Sequence, residues 1–546
     1  MTTVEKQRRI IATSALPYAN GAIHVGHLVE YLQTDFWIRF QKMRGHKAIY
    51  ICADDTHGTP IMIRARQEEI EPEQLIAKSQ EEHQRDFAGF QIQFDHYSST
   101  HSEENKQLAH QIFAAMENNN HIELRNVEQS YCEHDKMFLP DRFVVGNCPN
   151  CGADNQYGDS CDSCGATYSP TDLKNPGCAI CGNTPVKRAS EHLFFQLDHF
   201  RDFLQDWVPK HTQSEVSNKL KEWLDDELRA WDISRDEPYF GFEIPGHPGK
   251  YFYVWVDAPI GYLSSTKQWC DQQGLDFQAY WNDPKTEIFH FIGKDIVYFH
   301  ALFWPAMLKN AELKTPDRIC VHGFLTVNGE KMSKSKGTFI GAAQFLNHLD
   351  PAHLRYYYAC KLNGIGDIDL NFEDFANRVN SDLIGKITNL GSRGAQMTNK
   401  KLGGSVGRPS QEGLEIIKKA QEKAGEIADL FENLNFAKAM VEIRELADLA
   451  NRYFDEKAPW KMIKEDEDAT KEVLADILNI FRILTIYLKP ILPLYAEKVE
   501  SLFGEASFTW DSAQEIRSDF QLNPFEHLSQ RVDSSKIEEL IEASKV

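Results

Sequence analysis

The sequence predicts a multidomain α/β protein, in which a domain built on a parallel β-sheet carries a cysteine-rich insertion and is followed by a helical bundle. Three observations predict this fold. The first 60 residues alternate strand and helix signals, residues 130–185 are rich in Cys, Gly, Asp and Asn, and the chain beyond about residue 385 has helical periodicity. At roughly 150 residues per domain, 546 residues allow three or four folded units.

The chain opens with a strand–helix–strand pattern. Residues 10–12 form a short apolar run, a helical pattern extends from about Val25 to Met43, and residues 48–52 form a second apolar run. The apolar residues of the helix repeat every four positions, at Leu28, Leu32, Phe36 and Phe40. This βαβ order favours a parallel sheet, and a β-like run at 288–292 predicts that α/β structure returns after the insertion.

The chain beyond about residue 385 has the pattern of amphipathic helices. In residues 436–450 the apolar side chains recur at steps of three and four, at Phe436, Met440, Ile443, Ala447 and Ala450. Similar patterns fill residues 411–432 and 470–488. Helices with one apolar face bury that face against one another, so we expect a helical bundle.

The charge balance restricts how this protein can bind nucleic acid. The chain has 81 acidic and 59 basic side chains and a formal net charge of −22, which argues against binding through bulk electrostatics. A local exception is residues 386–408, with five positive residues and no acidic one. This acid-free stretch predicts either a phosphate-facing surface or a solvated helix end, and the sequence alone favours neither.

The chain is expected to be cytoplasmic. Its first ten residues are charged and lack the apolar core of a secretory signal. The nearest candidate for a membrane helix, Phe481–Tyr495, is interrupted by two charged residues and two prolines. Seven of the eleven cysteines cluster between Cys132 and Cys181, which in a long chain indicates metal binding in a reducing compartment rather than a disulfide framework.

Two C-x-x-C pairs in this cluster predict a metal site. Cys148 and Cys151 form one pair, Cys161 and Cys164 form the other, and nine residues separate the pairs. Four thiolates at this spacing are typical of structural zinc, because they leave no open coordination position for catalysis. A redox dithiol or two disulfides is the alternative, which the doubled pattern and the expected compartment disfavour.

A histidine motif lies at the start of the predicted N-terminal helix. His24 and His27 are three residues apart and therefore share one helix face. At a helix N-terminus they would add donors to an anion site, and Gly26 between them would let a base or ribose approach the backbone. Two unrelated surface histidines are the alternative.

A lysine-rich segment, Lys331–Gly337, lies 300 residues later. Its three lysines, small hydroxyl residues and glycine predict a mobile cationic loop that closes on a triphosphate and stabilises the departing pyrophosphate. A solvated basic turn is the alternative for this segment in isolation. The usual phosphate-binding loops, G-x-x-x-x-G-K-[ST] and G-x-G-x-x-G, do not occur in the sequence. The presence of both motifs beside α/β segments favours phosphate chemistry.

These motifs resemble a known family. His24–His27 and Lys331–Ser335 are similar to the two signatures of the class I aminoacyl-tRNA synthetases. The longer segments Ala-Leu-Pro-Tyr-Ala-Asn-Gly at 15–21, Phe-Tyr-Val-Trp-Val-Asp-Ala-Pro at 252–259 and Gly-Lys-Asp-Ile at 293–296 resemble the methionyl-tRNA synthetase family in particular.

The resemblance extends from about Arg9 to Lys545 and implies a domain layout. A Rossmann-like catalytic domain would be split between residues 1–101 and 249–324, with a zinc-knuckle connective insertion at 102–248. Residues 325–386 would form a linker that carries the Lys331–Ser335 loop, and residues 387–546 an α-helical anticodon-binding domain.

The resemblance also implies the reaction. Such enzymes activate L-methionine with ATP and Mg²⁺ to methionyl-adenylate, then transfer methionine to the 3′ end of tRNA(Met). Positioning and charge stabilisation would carry this catalysis without a covalent enzyme intermediate. The implied catalytic residues are His24, His27, Lys331 and Lys334, and Gly26, Lys294 and Asp295 would join them in binding ATP. The chain would act as a monomer, or as a homodimer if a further C-terminal domain follows it.

Two binding surfaces are implied as well. The methionine pocket would consist of Leu16, Tyr18, Trp255, Ala258, Pro259, Tyr262, Ile296 and His300, with Asp55 pairing with the substrate ammonium. Aromatic walls suit a polarizable thioether, although each aromatic residue alone is equally typical of a core. Anticodon bases would contact Asn389, Arg393 and Trp460, since unpaired bases stack on aromatic rings. A packed tryptophan is the alternative for Trp460.

A second zinc site is a further hypothesis. Cys178 and Cys181 form a third pair without a neighbouring partner pair, and Cys132 lies upstream. Some two-zinc members of the family have C-x-x-C at that upstream position, where this sequence has Asp135 in place of the second cysteine. Asp135 or His134 would complete the tetrahedral site. Three spare thiols are the alternative.

Two other function classes share some of these features. A small-molecule nucleotidyltransferase has the histidine motif, but it does not need Trp460 or a long helical bundle. A zinc-ribbon RNA-binding protein has no reason to combine His24, His27 and Lys334.

Overall fold

The computed structural model describes residues 7–140, 143–158, 161, 163–164, 166, 168, 172–225, 228–333 and 337–545. Its strands are β1 (Arg9–Ser14), β2 (Lys47–Asp54), β3 (His96–Ser99), β4 (Ile122–Cys132), β5 (Met137–Phe138), β6 (Val144–Asn147), β7 (Gln156–Tyr157), β8 (Lys174–Cys178), β9 (Val186–Phe195), β10 (Trp231–Asp232), β11 (Ser234–Asp236), β12 (Lys250–Phe252), β13 (Thr286–Gly293), β14 (Arg318–His322), β15 (Leu325–Val327), β16 (Ile368–Leu370), β17 (Ser405–Val406) and β18 (Phe520–Gln521).

The helices before the bundle are α1 (Val25–Met43), α2 (Thr59–Glu68), α3 (Pro72–Gly89), α4 (Glu103–Asn118), α5 (Arg201–His211), α6 (Ser214–Asp225), α7 (Val254–Asp257), α8 (Ile260–Gln273), α9 (Phe277–Asn282), α10 (Trp304–Asn310), α11 (Ala342–His348), α12 (Pro351–Lys361) and α13 (Phe372–Arg378). Those of the bundle and the C-terminal segment are α14 (Asn389–Leu402), α15 (Gln411–Glu422), α16 (Ala424–Glu432), α17 (Phe436–Lys457), α18 (Pro459–Met462), α19 (Glu467–Leu488), α20 (Pro493–Phe503) and α21 (Ser534–Ala543).

The central sheet is parallel, as predicted. Its strand order is β14-β13-β1-β2-β3, and β1 pairs with β13 on one side and with β2 on the other. Ile11 of β1 lies between Ile288 and Ile49, and all three side chains are buried. A strand that is covered on both faces has a continuous apolar sequence. The short apolar runs at 10–12, 48–52 and 288–292 therefore predicted these three strands.

The insertion forms two small antiparallel sheets. In the first, β4 and β9 pair along ten residues each, and β5 and β10 lie at its edges. The second, β7-β6-β8, lies next to the cysteine pairs. A small core that includes Cys132, Phe143 and Cys178 packs against Ile63 of α2. The cysteine-rich insertion therefore contacts the helix that follows β2.

The C-terminal region is the predicted helical bundle. Its central helix, α19, is buried at every position from Val473 to Leu488 and packs against α14, α15 and α17. A helix that is buried on all sides needs partners for its polar residues. Asp476 accepts hydrogen bonds from Ser410 and Tyr453, and Arg482 pairs with Glu505.

These observations confirm the multidomain α/β fold class. The domain boundaries expected at residues 101, 248, 324 and 386 stay predictions. In the part of the chain that the structure describes, no helix combines the length and apolar character that crossing a bilayer requires.

Candidate active site and its surroundings

A pocket opens where three parallel strands end at the same edge of the central sheet. Ala15 and Leu16 follow β1, Asp55 follows β2, and Ile296 comes shortly after β13. In open α/β sheets this carboxyl edge is the usual place of ligand binding. The complete lining consists of Ala15, Leu16, Asp55, Trp255, Ala258, Pro259, Tyr262, Ile296, Phe299 and His300.

Eight of the nine residues expected to bind methionine line this pocket. Tyr18 does not: its hydroxyl donates to the backbone oxygen of His57 at 2.8 Å. Ala15 and Phe299 line the pocket as well, although the sequence did not predict them as pocket residues. Phe299 begins a π-helical segment and its ring stacks on Trp255, with ring centres 4.3 Å apart. π-Helical turns are frequent at functional sites, but they have no strong sequence signal.

The polar groups at the Tyr262 end of the pocket satisfy one another. His300 Nδ1 lies 3.1 Å from the backbone oxygen of Ile296, and Nε2 lies 2.8 Å from the Tyr262 hydroxyl. Burial lowers the pKa of His300 to about 4, so the ring is neutral. A neutral ring that donates through Nδ1 must accept at Nε2, and Tyr262 is therefore the donor in the second bond.

Asp55 brings into the pocket a buried carboxylate of which one oxygen, Oδ1, has no hydrogen-bond partner among the described residues. Asp55 is 7% exposed. Burial, and then the neighbouring charge of Asp257, raise the pKa of Asp55 well above its usual range. A cation bound beside Asp55 would relieve both effects.

The histidine motif caps α1. His24 Nδ1 accepts from the backbone nitrogens of Gly26 and His27, at 3.1 and 3.3 Å, and His27 Nδ1 accepts from the nitrogen of His24 at 3.3 Å. The two rings stack with centres 3.7 Å apart. Burial lowers the pKa of His24 to about 4 and that of His27 well below its usual value. Both rings are thus neutral with the proton on Nε2, which leaves each an N–H donor for an anion.

The lysine-rich loop lies against this motif. Val25 N donates to Ile340 O at 3.0 Å, and the ring of Phe339 is 5.0 Å from that of His24. A Cβ placed on Gly26 would lie 2.6 Å from Met332 Cε, so a methionine of the loop occupies the space beside Gly26 that was predicted to admit a base or ribose. The loop thus reaches the helix start through Met332, and Lys331, the residue before it, is exposed. Lys334 lies outside the described residues.

Lys294 and Asp295 follow β13 at the same sheet edge. Lys294 pairs with Asp367, and its ammonium lies 4.4 Å from the centre of the Phe324 ring. Asp295 approaches Gly293 so closely that a Cβ there would lie 2.5 Å from its Oδ1.

The first cysteine quartet has the geometry of a zinc site. The four sulfurs of Cys148, Cys151, Cys161 and Cys164 lie within 4.8 Å of one another. Two of the sulfur–sulfur distances are 3.8 Å, Cys148 to Cys164, and 3.6 Å, Cys151 to Cys161. Tetrahedral zinc with bonds of about 2.3 Å holds its sulfurs about 3.8 Å apart.

The second group gathers the residues proposed for a second zinc. Ligand atoms of Cys132, Asp135, Cys178 and Cys181 also lie within 4.8 Å of one another. Asp135 Oδ2 is 3.1 Å from the sulfur of Cys132 and 3.3 Å from that of Cys178. His134 is largely exposed and contacts the other oxygen of Asp135, so the structure places the aspartate, and not the histidine, among the three thiols.

The residues expected to read the anticodon lie together on the bundle. Asn389 begins α14 and Arg393 follows one turn later. The Arg393 guanidinium lies 5.2 Å from the centre of the Trp460 ring and pairs with Asp455 at 2.8 Å. Trp460 is 42% exposed, which argues against the packed tryptophan.

The acid-free stretch, residues 386–408, has less net positive charge once its neighbours in the fold are counted. Besides Arg393, Lys386 pairs with Asp448 at 2.9 Å, and Arg408 pairs with Asp519 at 2.5 Å. Acids that are distant in sequence thus pair with three of its five cations. Lys400 and Lys401 are the exposed cations left to form the predicted phosphate-facing surface.

Comparisons with known proteins agree with this geometry. The profile of the family described as tRNA synthetases class I (M) matches residues 10–395, and that of the anticodon binding domain of methionyl tRNA ligase matches residues 403–527. A methionine–tRNA ligase of Bdellovibrio bacteriovorus is 56% identical over 541 residues, which are 99% of this chain and 79% of that protein.

Solved structures show the same fold. A Mycobacterium tuberculosis methionyl-tRNA synthetase bound by methionyl-adenylate is 24% identical, with a TM-score of 0.80 over 95% of this chain and 100% of its own. A second structure of the M. tuberculosis enzyme, in complex with methionyl-adenylate, is 25% identical. Its TM-score is 0.81 over 96% of this chain and 99% of its own. On these matches and the geometry above, the chain belongs to the methionyl-tRNA synthetase family of class I aminoacyl-tRNA synthetases.

Proposed function

We propose that the pocket at the sheet edge selects methionine, that the histidine motif and the lysine-rich loop act on ATP, and that the bundle selects tRNA(Met). The observation that carries this assignment is the pocket itself. It combines a buried carboxylate with one unpaired oxygen among the described residues, an aromatic wall and a polar end whose donors are already satisfied.

Selection of methionine follows from these three features. Asp55 pairs with the substrate ammonium, and the stacked rings of Trp255 and Phe299 contact the polarizable thioether. Tyr262 gives its hydrogen to His300, so an apolar side chain leaves no donor unpaired. A glutamine or glutamate side chain of similar length loses water there without gaining these hydrogen bonds.

Activation requires the methionine carboxylate to attack the α-phosphate in line, and positioning and charge stabilisation supply most of the catalysis. The Nε2–H groups of His24 and His27 donate to phosphate oxygens. Lys331 and Lys334 stabilise the charge that develops on pyrophosphate, while Lys294 and Asp295 hold the nucleotide. Mg²⁺ accompanies ATP and neutralises part of its phosphate charge.

Two structural zinc ions fit the insertion. The sulfur–sulfur distances of the first quartet match tetrahedral zinc, and a carboxylate oxygen is an accepted fourth ligand for three thiolates. Each site is closed by four protein ligands, so the zinc ions stabilise the insertion and take no part in the chemistry.

Metal analysis tests the second zinc site. Protein purified without exposure to a chelator should contain about two zinc ions per chain. The double variant Cys178→Ser, Cys181→Ser should contain about one zinc ion per chain. Cys360→Ser, which removes a free thiol outside the insertion, should leave the count at two. One zinc in the parent protein would eliminate the second site and leave the first quartet unaffected.

Trp460 provides a test of anticodon reading. Trp460→Ala should leave methionine activation unchanged but weaken tRNA charging by about 5- to 150-fold, because a stacked base contributes roughly 1–3 kcal/mol. Leu494→Ala removes another exposed apolar side chain of the bundle and should change neither activity. If activation falls together with charging in Trp460→Ala, the tryptophan is a packing residue.

Charging assays test the proposed function as a whole. The chain should attach methionine to a tRNA(Met) transcript, and a transcript with an altered anticodon should be charged much more slowly while methionine activation stays constant. Equal charging of both transcripts would show that the bundle does not select the tRNA.

We further infer a cytoplasmic enzyme, an inference supported by the eleven cysteines, none of which forms a disulfide. A monomeric state for this chain stays a prediction, and sedimentation of the purified protein tests it.

A further inference from the structure

An open groove lies between the insertion and the helices that follow β2. It has a volume of about 420 Å³ and shares no lining residue with the methionine pocket. Met62 of α2, Pro72 of α3 and Lys136, in the turn between β4 and β5, contribute to its lining. Residues 237–240, between β11 and β12, and Tyr251 of β12 complete it. None of these residues has a role in the reaction proposed above.

The groove adjoins the start of α7, the helix that contributes Trp255 to the methionine pocket. The backbone nitrogen of Val254, the residue before Trp255, donates to the Tyr239 hydroxyl at 3.1 Å. The next groove residue, Phe240, is fixed to α2, because its backbone nitrogen donates to Met62 Sδ at 3.1 Å. Tyr239 therefore connects the groove directly to the helix beside the methionine pocket.

The groove combines aromatic rings with charged groups that have no described partner. Tyr239, Phe240 and Tyr251 are half-buried, and the ring centres of the two tyrosines lie 6.2 Å apart. Lys136 and Glu237 are exposed, and no side chain in the described ranges pairs with the ammonium of the one or the carboxylate of the other. The groove thus offers stacking surfaces, one cation and one hydrogen-bond acceptor to a ligand.

A nucleotide of an unpaired RNA strand has a partner for each of these groups. Its base stacks on aromatic rings, its phosphate pairs with a lysine, and the amino group of a cytosine donates to a glutamate. The transfer of methionine brings such a strand to this region, because the terminal ribose of the tRNA must reach the carboxyl group of methionine. Every tRNA ends in unpaired cytidine-cytidine-adenosine, so a cytidine precedes the nucleotide that receives the amino acid.

We propose that the groove binds the cytidine that precedes the terminal adenosine of the tRNA. The cytosine ring stacks on Tyr251, its amino group donates to Glu237, and the adjoining phosphate pairs with Lys136. The terminal adenosine then lies past Tyr239, with its ribose at the mouth of the methionine pocket. This proposal rests on the proposed function, to which it adds a binding site for the 3′ end of the tRNA.

A base substitution in the tRNA tests the contact to Glu237. A tRNA(Met) transcript with uridine in place of this cytidine presents a carbonyl oxygen instead of the amino group, so kcat/KM for its charging should be about 5- to 150-fold lower. Glu237→Gln has both an amide oxygen and an amide NH₂ group and should charge the two transcripts at similar rates. Glu191→Gln, the matched change at an exposed glutamate of β9, should discriminate as the parent does.

The aromatic contact has its own test. Tyr251→Leu should lower charging of the normal transcript by about 5- to 150-fold, whereas Tyr251→Phe keeps the ring and should retain most of the activity. Pyrophosphate exchange with methionine and ATP, measured without tRNA, should stay at the parental rate in both variants, because the groove and the methionine pocket have no lining residue in common. A purely structural role of Tyr251 would lower both activities in Tyr251→Leu.

The outcomes separate this proposal from the proposed function. If the parent enzyme charges no tRNA(Met), the proposed function fails. If it charges both transcripts equally, or if Glu237→Gln discriminates between them as the parent does, the groove does not bind this cytidine and the proposed function stands. Parental charging by Tyr251→Leu would also overturn the proposal, and this result decides the question even if Glu237→Gln does not fold.

Discussion

Asp55→Asn is expected to lower kcat/KM for methionine activation by about two to four orders of magnitude. The buried carboxylate is the anionic partner proposed for the substrate ammonium, and breaking one side of a buried charge pair costs about 3–5 kcal/mol. Asparagine has the same shape but no charge, so the loss should appear mainly as weaker methionine binding.

Two comparisons make this result specific to the ammonium. Asp476→Asn removes a buried carboxylate from the bundle and should leave the KM for methionine unchanged. The KM for ATP should change little in Asp55→Asn. A parental KM for methionine in Asp55→Asn would show that the ammonium binds elsewhere.

Lys334→Ala should lower the rate of methionyl-adenylate formation by about 10²–10³-fold with nearly unchanged methionine affinity. The lysine is expected to act on charge that develops only in the transition state, and contacts of this kind are worth roughly 2.7–4 kcal/mol. Single-turnover measurement with saturating methionine and ATP reports this step directly.

A neighbouring lysine of the same loop is the matched control. Lys336→Ala removes the same charge two residues away and should have a much smaller effect on adenylate formation. Equal losses in the two variants would mean that the loop contributes only general positive charge, and an unaffected Lys334→Ala would exclude that lysine from the mechanism.

Local periodicity was sufficient to predict much of the fold. The four-residue repeat of Leu28, Leu32, Phe36 and Phe40 predicted that α1 is a helix, because apolar spacing shows which face of a helix is buried. The same reasoning gave the bundle. The π-helical turn at Phe299 was not predicted, because its side chains follow neither the helical nor the strand period.

Sequence patterns could not predict contacts between residues that are far apart in the chain. Lys386 and Asp448 are 62 positions apart and Arg408 and Asp519 are 111, so no local count of charge reveals that the acid-free stretch is largely neutralised. His57 and Asp257 are 200 positions apart, and only the fold brings them together. The pocket was largely predictable because its residues occur in long segments that resemble one family.

Methionine-dependent exchange of pyrophosphate into ATP, measured without tRNA, tests the central claim most directly. We expect rapid exchange with L-methionine, none above background with glutamine or glutamate, and a loss of about two to four orders of magnitude in kcat/KM for methionine in Asp55→Asn. Exchange that is equally fast without methionine, or equally fast in Asp55→Asn, would contradict the assignment of this pocket as the site of methionine activation.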